Sequence, residues 1–251
     1  MTRVAAVADI HVGVDSVGHV AAGLRHVNER ADLLLLGGDL TRCGEPLEAQ
    51  VVAGELAGVE IPIVAVLGNH DHHADQAAKV VELLEEVGVV VLDGTATTVE
   101  VNGAVVGVAG AKGFGGGFAG ANATAFGEAA MKAFVEETQR EAAGLHSALA
   151  EIRPRSDRTI ALLHYAPVPE TLRGERPELY PFLGSHLLAE AIDTAGADLV
   201  VHGHAHHGSE RGVTPGGIRV RNVAQPVIQH AYRVYDLREP AVREEPVAAT
   251  A

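Results

Sequence analysis

Tryptophan is missing from this chain, aromatic residues make up 4% of it, and there is one cysteine, Cys43. A single thiol excludes an intrachain disulfide framework, as expected for a reducing compartment. Positive charge is scarce too: 19 Lys and Arg stand against 33 Asp and Glu, a formal net charge of -14. Tracking nucleic-acid phosphates calls for clustered cations, so long polynucleotides are disfavoured as substrates. No apolar run approaches the roughly 18 residues that a membrane helix requires, and the residues before Arg3 carry no apolar segment of the secretory type. The expectation is a cytoplasmic protein with no membrane partner. Small apolar residues are abundant instead, within a hydrophobic content of 47% over 251 residues. That suffices for one large α/β domain over residues 1–251, with a tail that frays from about residue 239.

Strand-like apolar runs at residues 4–8, 33–36 and 61–67 alternate with helical patterns at 18–30, 46–57 and 75–87. Such alternation argues for βαβ units and a mostly parallel sheet. After Val89 the pattern changes. Short strands at 97–101 and 104–109 flank Asn102-Gly103, the strongest two-residue hairpin signal, and start a second, more mixed sheet. A long helical pattern at 128–152 leads to strand-like runs at 160–163 and 199–201, and strands at 218–223 and 232–237 close the fold. Residues 110–120 are too rich in glycine to form regular structure unaided. They are a flexible connector, or a lid that lays Phe114 or Phe118 against a substrate ring.

Five of the apolar runs end in residues with metal-binding groups: Asp9-Ile10-His11, Gly38-Asp39, Gly68-Asn69-His70-Asp71, His164, and Gly203-His204-Ala205-His206. Ligand sites in open α/β sheets gather at the carboxyl ends of strands. Carboxylate, imidazole and amide groups would converge there, a donor set that suits Mn, Fe or Zn better than Mg or Ca. Asp9 and Asp39 each end an apolar strand, where an unpaired buried carboxylate is costly.

The order, spacing and flanking glycines of these blocks resemble the calcineurin-like metallophosphoesterase superfamily, whose signature runs D-x-H, G-D, G-N-H-[DE], H, G-H-x-H. The resemblance implies a four-layer α/β/β/α sandwich with two central mixed sheets and two divalent or trivalent transition-metal ions. It implies that Asp39 bridges the ions, with Asp9, His11 and His206 completing one site and Asn69, His164 and His204 the other. A metal-bridging hydroxide would attack phosphorus. His70 would face the substrate and protonate the leaving group, oriented by Asp71. The compact spacing looks like that of the bacterial cyclic-nucleotide phosphodiesterase branch, so the expected substrate is a small phosphodiester, nucleotide-like or cyclic. The alternatives are a phosphomonoesterase or nuclease with the same metals, or a scaffold of the retromer type, which the intact ligand set disfavours.

Other residues divide between two readings. Arg42 stands three positions after Asp39, whereas serine/threonine protein phosphatases of the superfamily place an Arg four positions after it. That register, with Asp71 where they have Glu, disfavours protein phosphatase activity. Arg42 is either a phosphate contact or a surface residue. Tyr165 either borders the pocket or packs under the loop at 169–181, whose Arg173, Arg176 and Tyr180 offer groups to a nucleotide. His72, His73, His202 and His207 adjoin the motifs without being assigned to metal by the pattern.

Overall fold

In the computed structural model, residues 2–237 are described, and the tail expected to fray lies outside them. Two sheets form the centre. The first runs β13 (Arg233–Asp236), β1 (Arg3–Val7), β2 (Leu33–Gly37), β3 (Ile63–Val66), β4 (Val89–Val91), parallel except where β13 meets β1. The second runs β11 (Arg211–Val213), β12 (Arg219–Asn222), β10 (Leu199–His202), β9 (Arg158–Leu163), β6 (Ala104–Ala111), β5 (Thr95–Val101), with antiparallel pairs only at its two edges. A small ribbon joins β7 (Gly117–Phe118) to β8 (Ala121–Asn122). This is the expected arrangement of two large mixed sheets in an α/β sandwich.

Period-two alternation explains how the layers stack. Ile160 and Leu162 of β9 point into the core shared with Leu33, Leu35 and Val64 of the first sheet. Ala161 and Leu163, between and after them, belong to a second core with Leu145, Leu149 and Ile192. A strand buried on both faces therefore reads as an unbroken apolar run. Those last three residues lie on helices Ala129–Ile152 and His186–Ala195, which cover the outer face of the second sheet. Helices Pro46–Leu56 and Ala77–Glu85 bring Val52, Leu56, Val80 and Leu84 to the first.

Element boundaries shift for local reasons. The helix expected over 18–30 is two short ones, His19–Leu24 and Val27–Arg30, separated by a turn at Arg25 and His26. Asp75 adopts φ 54, so the next helix starts at Ala77 and not at 75. The strand expected from residue 61 begins at Ile63, because Pro62 has no N–H to donate. The hairpin forms as expected: Asn102 and Gly103 take φ 52 and 78, the two positive values of a type I′ turn.

Residues 110–120 are not a loose connector. Ala111 ends β6, Phe118 is 7% exposed, and the chain between is tied by Gly116 N–H to Pro181 O (2.7 Å) and Gly117 N–H to Gly184 O (2.9 Å). Glycine here permits close packing of backbone on backbone.

A candidate metal centre where the two sheets meet

The carboxyl ends of β1, β2 and β3 from one sheet face those of β9 and β10 from the other, and each carries residues of the motifs. Side chains are aimed into this junction by an unusual backbone. Asp9, His11, Asp39 and His204 have φ of 58, 43, 51 and 69, four of the seven non-glycine residues with positive φ among those described. For such residues this region costs on the order of 1–3 kcal/mol each and persists only where surrounding bonds enforce it. Here the bonds are present. Asp9 N–H donates to Gly38 O (3.0 Å) and His11 N–H to Asp39 O (3.1 Å), so the β1 and β2 turns lock together. His204 N–H donates to both oxygens of Asp9 (3.1 and 2.9 Å), and His70 N–H to Asp39 Oδ1 (2.8 Å). Two glycines are required by this crowding: a Cβ on Gly68 would overlap Asp39 Oδ1, and one on Gly203 would overlap Asp9 Oδ2.

Two groups of donor atoms result. In the first, Asp9, His11, Asp39 and His206 each bring one ligand atom within 4.8 Å of the others; in the second, Asp39, His164 and His204 do the same. Asp39 belongs to both, and its oxygens face different ways: Oδ2 lies 3.7 Å from His11 Nε2, Oδ1 lies 3.3 Å from His164 Nε2. His206 Nε2 is 2.9 Å from Asp9 Oδ1 and 3.4 Å from His11 Nε2. Asn69 joins the second group, its Oδ1 2.9 Å from His164 Nε2.

Protonation can be worked out from the partners. His164 Nδ1 sits 2.9 Å from Gly37 O, a pure acceptor, so Nδ1 carries the proton and Nε2 a bare lone pair. His204 Nε2 faces Phe182 O at 3.3 Å, which leaves Nδ1 free by the same argument. Burial lowers the pKa of His11 to about 4 and those of His164 and His204 to about 3, so all three are neutral near pH 7. Burial raises Asp9 to about 6 despite the opposing hydrogen bond from His206; that bond in turn raises His206.

The arrangement fits a cation. At the second group the neutral His164 Nε2 lone pair has an amide oxygen of Asn69 at 2.9 Å and a carboxylate oxygen of Asp39 at 3.3 Å, acceptors facing an acceptor. Asp9 and Asp39, 3% and 1% exposed, add two carboxylates at a separation where repulsion amounts to roughly 3 kcal/mol at an effective dielectric of about 20. Neutral imidazole with carboxylate and amide oxygen is a set suited to Mn, Fe or Zn.

The remaining sequence candidates scatter. His70 lies at the rim, its side chain 44% exposed and its ring 4.5 Å from that of His11. Arg42 forms an exposed ion pair with Asp15 (2.8 Å). Phe118 is buried against Tyr180, and Phe114 packs between Phe134 and Tyr165, so Phe118 is not a stacking platform for substrate. Tyr165 lies beside the centre, its ring 4.2 Å from that of His204. His202 is fully buried and bonded to Gly203 O and Thr171 Oγ1, a role in packing. Lys112, which the motifs did not single out, places its ammonium 5.0 and 5.4 Å from the rings of Phe114 and Tyr165. Among the described residues, no helix is long and apolar enough to cross a membrane.

The chain belongs to the calcineurin-like phosphoesterase family, whose model matches residues 2–208. Membership supports a hydrolase with candidate ligand groups for metal. A stretch of 66 residues is 36% identical to glycerophosphodiester phosphodiesterase GpdQ of Enterobacter lignolyticus (strain SCF1), and the match spans 26% of this chain and only 23% of that protein. Among solved structures, phosphopantetheinyl hydrolase PptH from Mycobacterium tuberculosis superposes with a TM-score of 0.58 at 17% identity, covering 100% of this chain and 99% of its own. GAP50, the anchor in the inner membrane complex of Plasmodium, does so with a TM-score of 0.56 at 13% identity, over 90% of this chain and 72% of its own. At these identities the likeness is one of fold.

The loops that hold the centre depend on Asp71, and this corrects its expected role. Asp71 makes no hydrogen bond to the His70 ring; that ring's Nδ1 lies 2.8 Å from Arg42 O instead. The Asp71 carboxylate, fully buried, accepts from Leu40 N–H (3.2 Å), Thr41 N–H (2.8 Å), Thr41 Oγ1 (2.6 Å) and Gly68 N–H (2.8 Å), clasping the β2 turn to the β3 turn. Its alanine variant leaves these buried donors unmet, each at about 1–3 kcal/mol. Asp71→Ala is therefore expected to lose at least about 3 kcal/mol of stability in urea unfolding; a loss under 1 kcal/mol would contradict the clasp.

Proposed function

We propose that this chain hydrolyses a small phosphodiester, nucleotide-like or cyclic, at a centre of two Mn, Fe or Zn ions. Asp9, His11, Asp39 and His206 would hold one ion and Asp39, Asn69, His164 and His204 the other. The observation that carries this reading is the meeting of His164 Nε2, Asn69 Oδ1 and Asp39 Oδ1 as acceptors facing one another. Bound there, the ions would neutralise phosphoryl charge and acidify a water. The phosphodiester preference draws on the short match to a glycerophosphodiester phosphodiesterase. The net charge of -14 is the argument against long nucleic acids, and the lone Cys43 supports a reducing, cytoplasmic setting.

The chain's own residues supply the proton chemistry. His70 Nδ1–H donates to Arg42 O, a carbonyl that can only accept, so a second proton on Nε2 makes the ring an imidazolium. Asp39 Oδ2 lies 3.9 Å from that Nε2. The imidazolium is the form that can pass a proton to a leaving alkoxide, and the ring's exposed position leaves room for substrate.

Wild-type protein loaded with Mn²⁺ is expected to cleave bis-aryl phosphates and cyclic nucleotides faster than mono-aryl phosphates or oligonucleotides. Asp39→Ala should lose both ions and all activity. His70→Ala should keep both ions while turnover falls by about 10²- to 10⁴-fold. Elemental analysis beside steady-state kinetics checks both, and equal loss of metal in the two variants would overturn the assignment of His70.

A further inference from the structure

We propose that Tyr165 is a second substrate-contacting residue, its hydroxyl donating a hydrogen bond to a non-bridging phosphoryl oxygen on the flank of the centre away from His70. This rests on the two-ion phosphoesterase reading and names a residue that reading does not require.

Tyr165 is 7% exposed and directly follows His164 at the end of β9, with its N–H donated to Lys112 O (3.0 Å). The ring is fixed from three directions: the His204 ring at 4.2 Å, the Phe114 ring at 5.8 Å and the Lys112 ammonium at 5.4 Å. Yet the hydroxyl forms no hydrogen bond with any described residue. Tyr180 and Tyr235 behave differently, donating to Leu172 O (3.1 Å) and Glu210 Oε1 (3.0 Å). A tyrosine this buried ordinarily finds a partner for its O–H, and one without a protein partner calls for an explanation. The Tyr165 hydroxyl keeps some solvent access, which leaves water or a ligand as its partner.

Position supplies the explanation. His70 adjoins His11, in the group built around Asp9, while Tyr165 adjoins His204, in the group built around Asp39. A phosphoryl group spanning the two groups would find one donor at each end. Arg42 lies on the His70 side, its carbonyl bonded to the His70 ring (2.8 Å) and its guanidinium paired with Asp15 (2.8 Å). The Lys112 ammonium is committed elsewhere, lying 4.0 Å from Glu141 Oε1 and donating to Gly113 O (2.9 Å), which leaves the Tyr165 hydroxyl as the donor on this flank.

Tyr165→Phe separates this role from packing, since the ring stays and only the hydroxyl leaves. Three quantities are measured on wild type and variant: metal content, affinity for inorganic phosphate by calorimetry, and kcat and KM on bis-p-nitrophenyl phosphate. The expected result is two ions retained, with phosphate affinity and kcat/KM both lower by about 10- to 100-fold, the range for a hydrogen bond to a charged group. Values within 2-fold of wild type would overturn the proposal, as would loss of metal, which would make Tyr165 a support for His204. Phosphate binding keeps the two readings apart. A wild type that cleaves none of the esters yet binds phosphate through the hydroxyl would refute the proposed activity and uphold the contact.

Discussion

Everything in this structure turns on a junction of acceptors with too few donors. Asp39, at the end of β2, extends one oxygen toward His11 of its own sheet and the other toward His164 of the opposite sheet. With Asp9 nearby, the N–H groups of His204 and His70 and the His206 ring offset only part of this negative charge, and a cation would offset the rest. A cation would serve as the bolt between sheets, so the same charge that enables chemistry would also relieve the cost of folding the site. Burial raising Asp9 to about 6 expresses that cost in protons.

The site's local strain is distributed in the same way. Four left-handed residues, Asp9, His11, Asp39 and His204, are each held by a backbone or carboxylate bond from the next turn. The β1 turn leans on the β2 turn, and the β2 turn is clasped to the β3 turn through Asp71. His204 closes the circuit by donating its N–H back to Asp9. No single loop sets the geometry, which is why the donors can come from five strand ends and still meet within a few ångströms.

How far this was legible in the sequence depends on which physics each feature used. Strand ends were readable, because runs such as Leu33 to Leu36 are buried on both faces and end at a polar motif. The convergence followed from parallel topology, and the Asn102-Gly103 turn from its need for positive φ. Left-handed Asp9 or His11 carries no sequence signal, since only the tertiary bonds that enforce it reveal it. Asp71 was misplaced for a related reason: adjacency to His70 suggested a partnership, whereas turns separate neighbours and join Asp71 to Thr41. Helix His186–Ala195 carries its own sequence signals, with Ser185 as cap, Leu187 to Ile192 in helical period and Gly196 at its end. The segment 110–120 defeated composition outright, because its glycines serve contact with residues near 181–184 that are distant in sequence.

Anomalous diffraction from crystals of the Mn²⁺-loaded protein tests the central claim most directly. Two peaks are predicted, one among Asp9, His11, Asp39 and His206, the other among Asp39, Asn69, His164 and His204, with Asp39 touching both. A single peak at saturating Mn²⁺, or two peaks that do not share Asp39, would contradict the account.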